Sequence, residues 1–185
     1  MVTGPSGAGK GTLIQLVLPR FSDLAVTVSA TTRAQRPGEV DGVHYHFLSR
    51  EDFDAKIEAG EFLEWVDYVG NRYGTLQSEI DRLRAQGKAP LLELETEGAL
   101  RVKRRADAVT IFVTAPVEEL ERRLRERATE SSGAIDERIA KAQSQLTEAS
   151  AFDHVVENDD RERAADELAA IVERELAATA TMPRP

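Results

Sequence analysis

The run Gly4-Pro5-Ser6-Gly7-Ala8-Gly9-Lys10 is the part of the sequence best suited to chemistry. Three glycines let the backbone curl until successive amides converge on an anion, and a helix beginning at its end adds a positive N-terminus. Lys10 can then reach the outer phosphates of a nucleoside triphosphate. The strict form of such a loop has Ser or Thr directly after the lysine. Here Gly11 stands there and Thr12 follows, so Mg²⁺ is expected on Thr12 or held through water. An ordinary Gly-rich turn is the bland alternative, disfavoured by seven matching positions ahead of a helix. Such a loop hangs from the end of a buried strand. Only three residues precede Gly4, so the first strand is expected to be incomplete, the chain starting late.

A second anion site is suggested by Arg33 and Arg36, set among the hydroxyls of Ser29-Ala30-Thr31-Thr32 and followed by Glu39. Two guanidinium forks suit one phosphate bound through several oxygens, with Tyr45 and Tyr73 as phenolic donors. A solvated loop explains the two arginines equally well. Glu93 and Glu95, two apart in an aliphatic run, are expected on one face of a strand. Arg123 and Arg127 share a helix face, and Arg138 lies three turns on if the helix resumes. Arginines so placed usually pair with nearby acids, as Arg123 would with Glu119. His44 and His46 flank Tyr45, but no third ligand accompanies them, so a solvated strand is preferred to a metal pair. Trp65 and Phe62 read as packing residues.

The elements that must position these groups alternate. Strands are expected at Leu24–Ser29, Leu91–Glu95, Val109–Thr114 and His154–Glu157. Helices are expected at Gly11–Pro19, from the capped start Ser49-Arg50-Glu51-Asp52 to just before Gly60, at about Thr75–Gln86, Val117–Arg127, 134–149 and about 160–178. This order implies an α/β fold with a mostly parallel sheet covered by helices. Residues 30–75 break the alternation with turn signals among short aromatic runs, as a small, partly β insert would. The tail Ala177–Pro185 is low in complexity and expected to fray.

A length of 185 residues suits one domain. The absence of cysteine excludes disulfide scaffolds, Cys-ligated zinc and thiol nucleophiles. No apolar run approaches the roughly 20 residues of a membrane span, and Met1-Val2-Thr3 leads straight into the glycine turn with no signal peptide. With 24 Lys and Arg against 33 Asp and Glu, the formal charge is −9, which disfavours a long nucleic acid as partner. Residues 157–175 alone hold eight acidic and three basic side chains, a solvated surface. A cytoplasmic protein with small ligands is expected.

Taken in order, GPSGAGKGT, SATTRAQRPGEVDGVHYHF, EFLEW, YGT and RATE resemble guanylate kinase, from Met1 to about Leu176. The resemblance implies a P-loop NTPase-type core, a small mixed α/β GMP-binding insert and a helical lid. Within one domain over 1–178 it implies core at 1–29, insert at 30–80, core at 81–120, lid at 121–142 and core at 143–178, then a tail at 179–185. It implies transfer of the γ-phosphoryl group of ATP to GMP with Mg²⁺, and no obligate protein partner. Gly4, Pro5, Ser6, Gly7, Ala8, Gly9, Lys10, Gly11 and Thr12 would bind ATP. Asn158 would contact its adenine, a simple turn residue being the alternative. Ser29, Arg33, Arg36, Glu39, Tyr45, Glu64, Tyr73, Thr75 and Glu95 would bind GMP. Glu64 would accept the guanine N1–H and N2–H, and Ser29 and Thr75 would address O6. Lys10, Arg33, Arg123, Arg127 and Arg138 would be catalytic, and Glu93 would order water around Mg²⁺.

The family has aspartates where this chain has Glu93 and Glu95, a glutamine where it has Glu97, and a glycine where it has Ala128. Glu97 reads as a strand-end surface carboxylate, and Ala128 as a slightly stiffer hinge. A non-catalytic guanylate-kinase-like interaction module is the alternative, and retention of Gly9 and Lys10 speaks against it. ATP-dependent GDP formation separates the two.

Overall fold

The run Ile111-Phe112-Val113 is apolar on both faces and is buried throughout, as the middle strand of a covered parallel sheet must be. The computed structural model describes residues 1–126 and 132–181, with the side chains of 132–135 and 179–181 left aside. Its strands are β1 (Val2–Thr3), β2 (Leu24–Val26), β3 (Ala30–Thr31), β4 (His46–Phe47), β5 (Phe62–Tyr68), β6 (Asn71–Leu76), β7 (Ala89–Leu91), β8 (Ile111–Thr114) and β9 (His154–Glu157). Its helices are α1 (Lys10–Val17), α2 (Arg50–Glu58), α3 (Gln77–Ala85), α4 (Thr96–Lys103), α5 (Val117–Glu126), α6 (Ser132–Leu146) and α7 (Arg161–Thr181).

Two compact units result, one of Met1–Ser22 with Asp107–Pro185, the other of Asp23–Ala106. In the first, β1, β8 and β9 form a parallel sheet in the order β1-β8-β9, with Val2 beside Ile111 and Ile111 beside His154. The helix α1 packs against α7, each offering a wholly buried leucine, Leu13 and Leu168. Leu124 of α5 packs on Ile139 and Ala142 of α6.

In the second unit β2 pairs in parallel with β7, and a mixed sheet runs β4-β3-β6-β5. Ser49 caps α2 by accepting the Asp52 N–H at 3.0 Å. Phe53 of α2 is fully buried and stacks on Phe62 with ring centroids 4.4 Å apart. Trp65 packs against the same cluster of Ala30, Phe53 and Leu76, in the packing role expected of it.

Several boundaries differ from expectation. The strand expected at Leu91–Glu95 ends at Leu91, so Glu93 and Glu95 do not share a strand face. Glu95 instead caps α4, a helix the alternation did not reveal. Glu97 lies in its first turn and accepts a hydrogen bond from Arg101, one turn on, so it is not a strand-end residue. The strand from Leu24 ends at Val26, three residues early, and α3 starts at Gln77 because Thr75 and Leu76 complete β6. The alanine-rich tail expected to fray from Ala177 stays helical to Thr181, in keeping with the helix propensity of alanine.

The hairpin joining β5 to β6 has the two-residue loop Val69-Gly70, both at positive φ, +47° and +75°. Glycine accepts that conformation, whereas a β-branched residue there is strained by roughly 1–2 kcal/mol. Val69 gains little in return, being 38% exposed. Val69→Asn should therefore stabilise the protein by about 1 kcal/mol, a rise in Tm of about 2–4 °C by calorimetry, with activity unchanged.

Candidate active site

The loop Gly4–Gly9 leaves β1 and enters α1 with Gly4, Gly7 and Gly9 all at positive φ. Close approach enforces two of these glycines. A Cβ on Gly4 would lie 2.0 Å from the Val113 carbonyl oxygen, and one on Gly9 would lie 2.4 Å from Nδ2 of Asn158. Asn158, 3% exposed at the end of β9, donates that Nδ2–H to the Ala8 carbonyl at 2.7 Å. Its Oδ1 is buried without a hydrogen-bond partner. Arg123 of α5 donates to the Gly7 carbonyl and to the Asn158 carbonyl, each at 3.3 Å. The arginine is itself aimed by Glu119, which accepts from its Nε at 2.6 Å. Arg122 and Arg123 together hold the Glu119 carboxyl well below its ordinary range, at about 2. Lys10 opens α1, and its Nζ donates to the carbonyls of Gly4 and Pro5 at 2.7 and 3.1 Å. Gly11 and Thr12 follow in the first turn, with Thr12 exposed. A glycine loop of this shape at the start of a helix is suited to an anion, with Lys10 folded back on its first two carbonyls.

In the other unit, Glu64 sits on β5 opposite Thr75 of β6 and is 7% exposed. Its Oε1 accepts the Thr75 backbone N–H and the Thr75 hydroxyl, both at 3.0 Å. Burial pushes its carboxyl up to about 7, against the Thr75 donors and Arg101, which pull it down; Glu95 adds to the rise. In the same unit Arg33 donates to Glu39 at 2.7 Å and lies over the ring of Tyr45, 5.4 Å from its centroid. The other Glu39 oxygen accepts the Arg36 backbone N–H, while the Arg36 side chain is exposed. Tyr73 meets Tyr45 edge-on at 6.1 Å. Burial raises the Tyr45 phenol to about 12, helped by the charges of Glu93 and Glu95. Glu95 has one buried carboxylate oxygen without a hydrogen-bond partner. Ser29 precedes β3, and its carbonyl accepts the His46 N–H at 2.9 Å. Glu64 and Tyr73 thus lie on neighbouring strands of one small sheet, and Arg33, Arg36 and Tyr45 on the segments that flank β3 and β4.

A family model described as guanylate kinase matches residues 1–175. The chain belongs to the guanylate kinase family. It is 50% identical over 179 residues to the guanylate kinase of Rubrobacter xylanophilus, covering 96% of this chain and 94% of that one. It is 46% identical over 174 residues to the guanylate kinase of Synechococcus elongatus, covering 93% and 95%. The crystal structure of guanylate kinase from Anaplasma phagocytophilum superposes with a TM-score of 0.77 at 29% identity, over 95% of this chain and 85% of that one.

Arg138 is half-buried on α6, and Arg127 and Ala128 lie outside the described residues. His44 accepts the Val40 N–H through Nδ1 and His46 faces Glu79 at 3.7 Å, so they do not act as a pair. No group of three or more His, Asp or Glu suited to a metal occurs among the described residues. Sequence reasoning missed Gly98 and Arg101 of α4. Arg101 donates to the Trp65 carbonyl at 2.7 Å, on the strand that carries Glu64. The Glu97–Arg101 spacing and the buried pair Ala99 and Val102 were the available signals for that helix.

Proposed function

We propose that the chain transfers the γ-phosphoryl group of ATP to GMP, and to dGMP, giving GDP and ADP, as a cytoplasmic step of purine nucleotide metabolism. The observation that carries this reading is Glu64, a buried carboxylate with one oxygen fixed by two Thr75 donors. Guanine presents N1–H and N2–H side by side, and a carboxylate accepts both. Adenine would set an acceptor at N1 against that charge and be rejected. Ser29 and Thr75 address the base edge, Glu95 supports the pocket with its free buried oxygen, and Arg33, Arg36, Tyr45 and Tyr73 take the phosphate. Glu39 aims Arg33.

The cradle Gly4–Lys10 takes the ATP phosphates with Gly11 and Thr12, and Asn158 offers Oδ1 to the adenine amino group. The exposed Thr12 hydroxyl in the first turn of α1 and the lack of a three-ligand cluster among the described residues fit an ion carried in by the nucleotide. Mg²⁺ bound there would neutralise phosphate charge, with Thr12 holding it and Glu93 ordering its water. The GMP phosphate oxygen is already anionic, so the step needs in-line positioning and charge stabilisation rather than a general base. Lys10, Arg33, Arg123, Arg127 and Arg138 supply that charge.

ADP release measured with GMP, dGMP, AMP, UMP and CMP tests the reading. GMP and dGMP are expected to lead, and a preference for AMP would overturn the pocket assignment.

Acid conditions give a second check. The guanine donors require the Glu64 carboxylate, so below about 7 a proton competes and GMP affinity falls by up to about tenfold per pH unit. Stability moves the opposite way. Between 4.5 and about 7 the folded state holds this proton and the unfolded state does not, so the ligand-free fold gains stability as pH falls through that window. Titration calorimetry with GMP and thermal unfolding across this range should show both slopes. Glu64→Gln should remove them, leaving in the binding data only the titration of the GMP phosphate near ~6.

A further inference from the structure

We infer that Gly98 is a positioning residue for Glu64, its missing side chain making the space into which the guanine-reading carboxylate is set. The inference rests on the reading of Glu64 given above. Gly98 is buried on the first turn of α4, where glycine is unfavourable relative to alanine. Its backbone does not call for glycine, since it is helical and its φ is not positive. What calls for it is a neighbour. A Cβ at Gly98 would lie 2.4 Å from Oε2 of Glu64 and 3.2 Å from Cδ, whereas the next atom, Cγ1 of Val66, is at an ordinary 3.6 Å. Glu64 is thereby fixed from two sides. Thr75 holds Oε1 by two hydrogen bonds, and the bare turn at Gly98 receives Oε2.

The obstructed atom is the end of a flexible side chain, so an added methyl group has an inexpensive escape. The carboxylate swings aside and the helix keeps its place. Gly98→Ala is therefore a lesion of recognition rather than of folding. Hydrogen bonds to a charged acceptor depend steeply on direction. Displacing this acceptor weakens both guanine contacts without touching the anion cradle.

The test is Gly98→Ala in the intact chain, assayed for GMP and ATP kinetics and for thermal unfolding. The KM for GMP is expected to rise about tenfold or more, with the KM for ATP within about twofold and Tm equal to the parent's or higher. In a Glu64→Asp background the carboxylate stops one methylene short of the obstruction. There the same Gly98→Ala change should shift the KM for GMP by less than about twofold, a rescue that a purely structural glycine would not show. An unchanged KM for GMP would overturn the inference, as would an equal loss in both backgrounds. A Gly98→Ala protein that does not fold would also overturn it, because the backbone would then be what needs glycine. The underlying reading fails separately, if Glu64→Gln leaves the preference for GMP intact.

Discussion

Glu64→Gln lowers kcat/KM for GMP by about 10³-fold while leaving the KM for ATP at its parent value. A glutamine carbonyl accepts one of the two guanine donors, and its amide then meets the other donor to donor. The loss combines a charge-assisted hydrogen bond with a desolvated N–H left unpaired, together about 4 kcal/mol. Stability should not fall with it. The amide oxygen still accepts the Thr75 N–H and hydroxyl, and the buried charge that raises the carboxyl to about 7 is gone. Steady-state kinetics with each substrate varied, beside thermal unfolding at pH 8, separates recognition from folding. Equal effects on GMP and AMP would remove Glu64 from the role of base reader.

Lys10→Ala lowers kcat by about 10²- to 10³-fold and leaves GMP affinity, measured by calorimetry without ATP, within about twofold. In the proposed reaction the ammonium stabilises charge that develops during transfer, and alanine would leave that charge to water. Nζ rests on the Gly4 and Pro5 carbonyls. Those two carbonyls are exposed to other partners in the variant, so the loop itself is expected to loosen. An unchanged turnover number would sink the assignment.

Much of this arrangement was legible in the sequence because local chemistry dictated it. The glycine spacing of residues 4–9 specified a curled loop, and the three positive φ angles are its consequence. Ser49 with Asp52 announced the start of α2, and His154–Glu157 is the strand its β-branched core implied. Glu119 was the nearest acid one turn before Arg123, and it is the partner found. What escaped was set by distant neighbours. Nothing within residues 91–96 says that the strand ends at Leu91, because pairing with β2 decides where it stops. Gly98 carries no local sign of why it is glycine, and the group a Cβ there would meet is the Glu64 carboxylate, 34 positions earlier in the chain. The burial of Asn158 likewise depends on Ala8, 150 residues away.

That last separation bears on how the protein is made. The Gly4–Gly9 loop is translated before everything that fixes it, because β8, Arg123 and Asn158 all lie later in the chain. At roughly 5–20 residues per second, about 7–30 s separate the synthesis of Lys10 from that of Asn158. The unit spanning Asp23–Ala106 is continuous in sequence and is complete before β8 emerges. A nascent chain thus holds every residue of that unit before it has those that fix the Gly4–Gly9 loop.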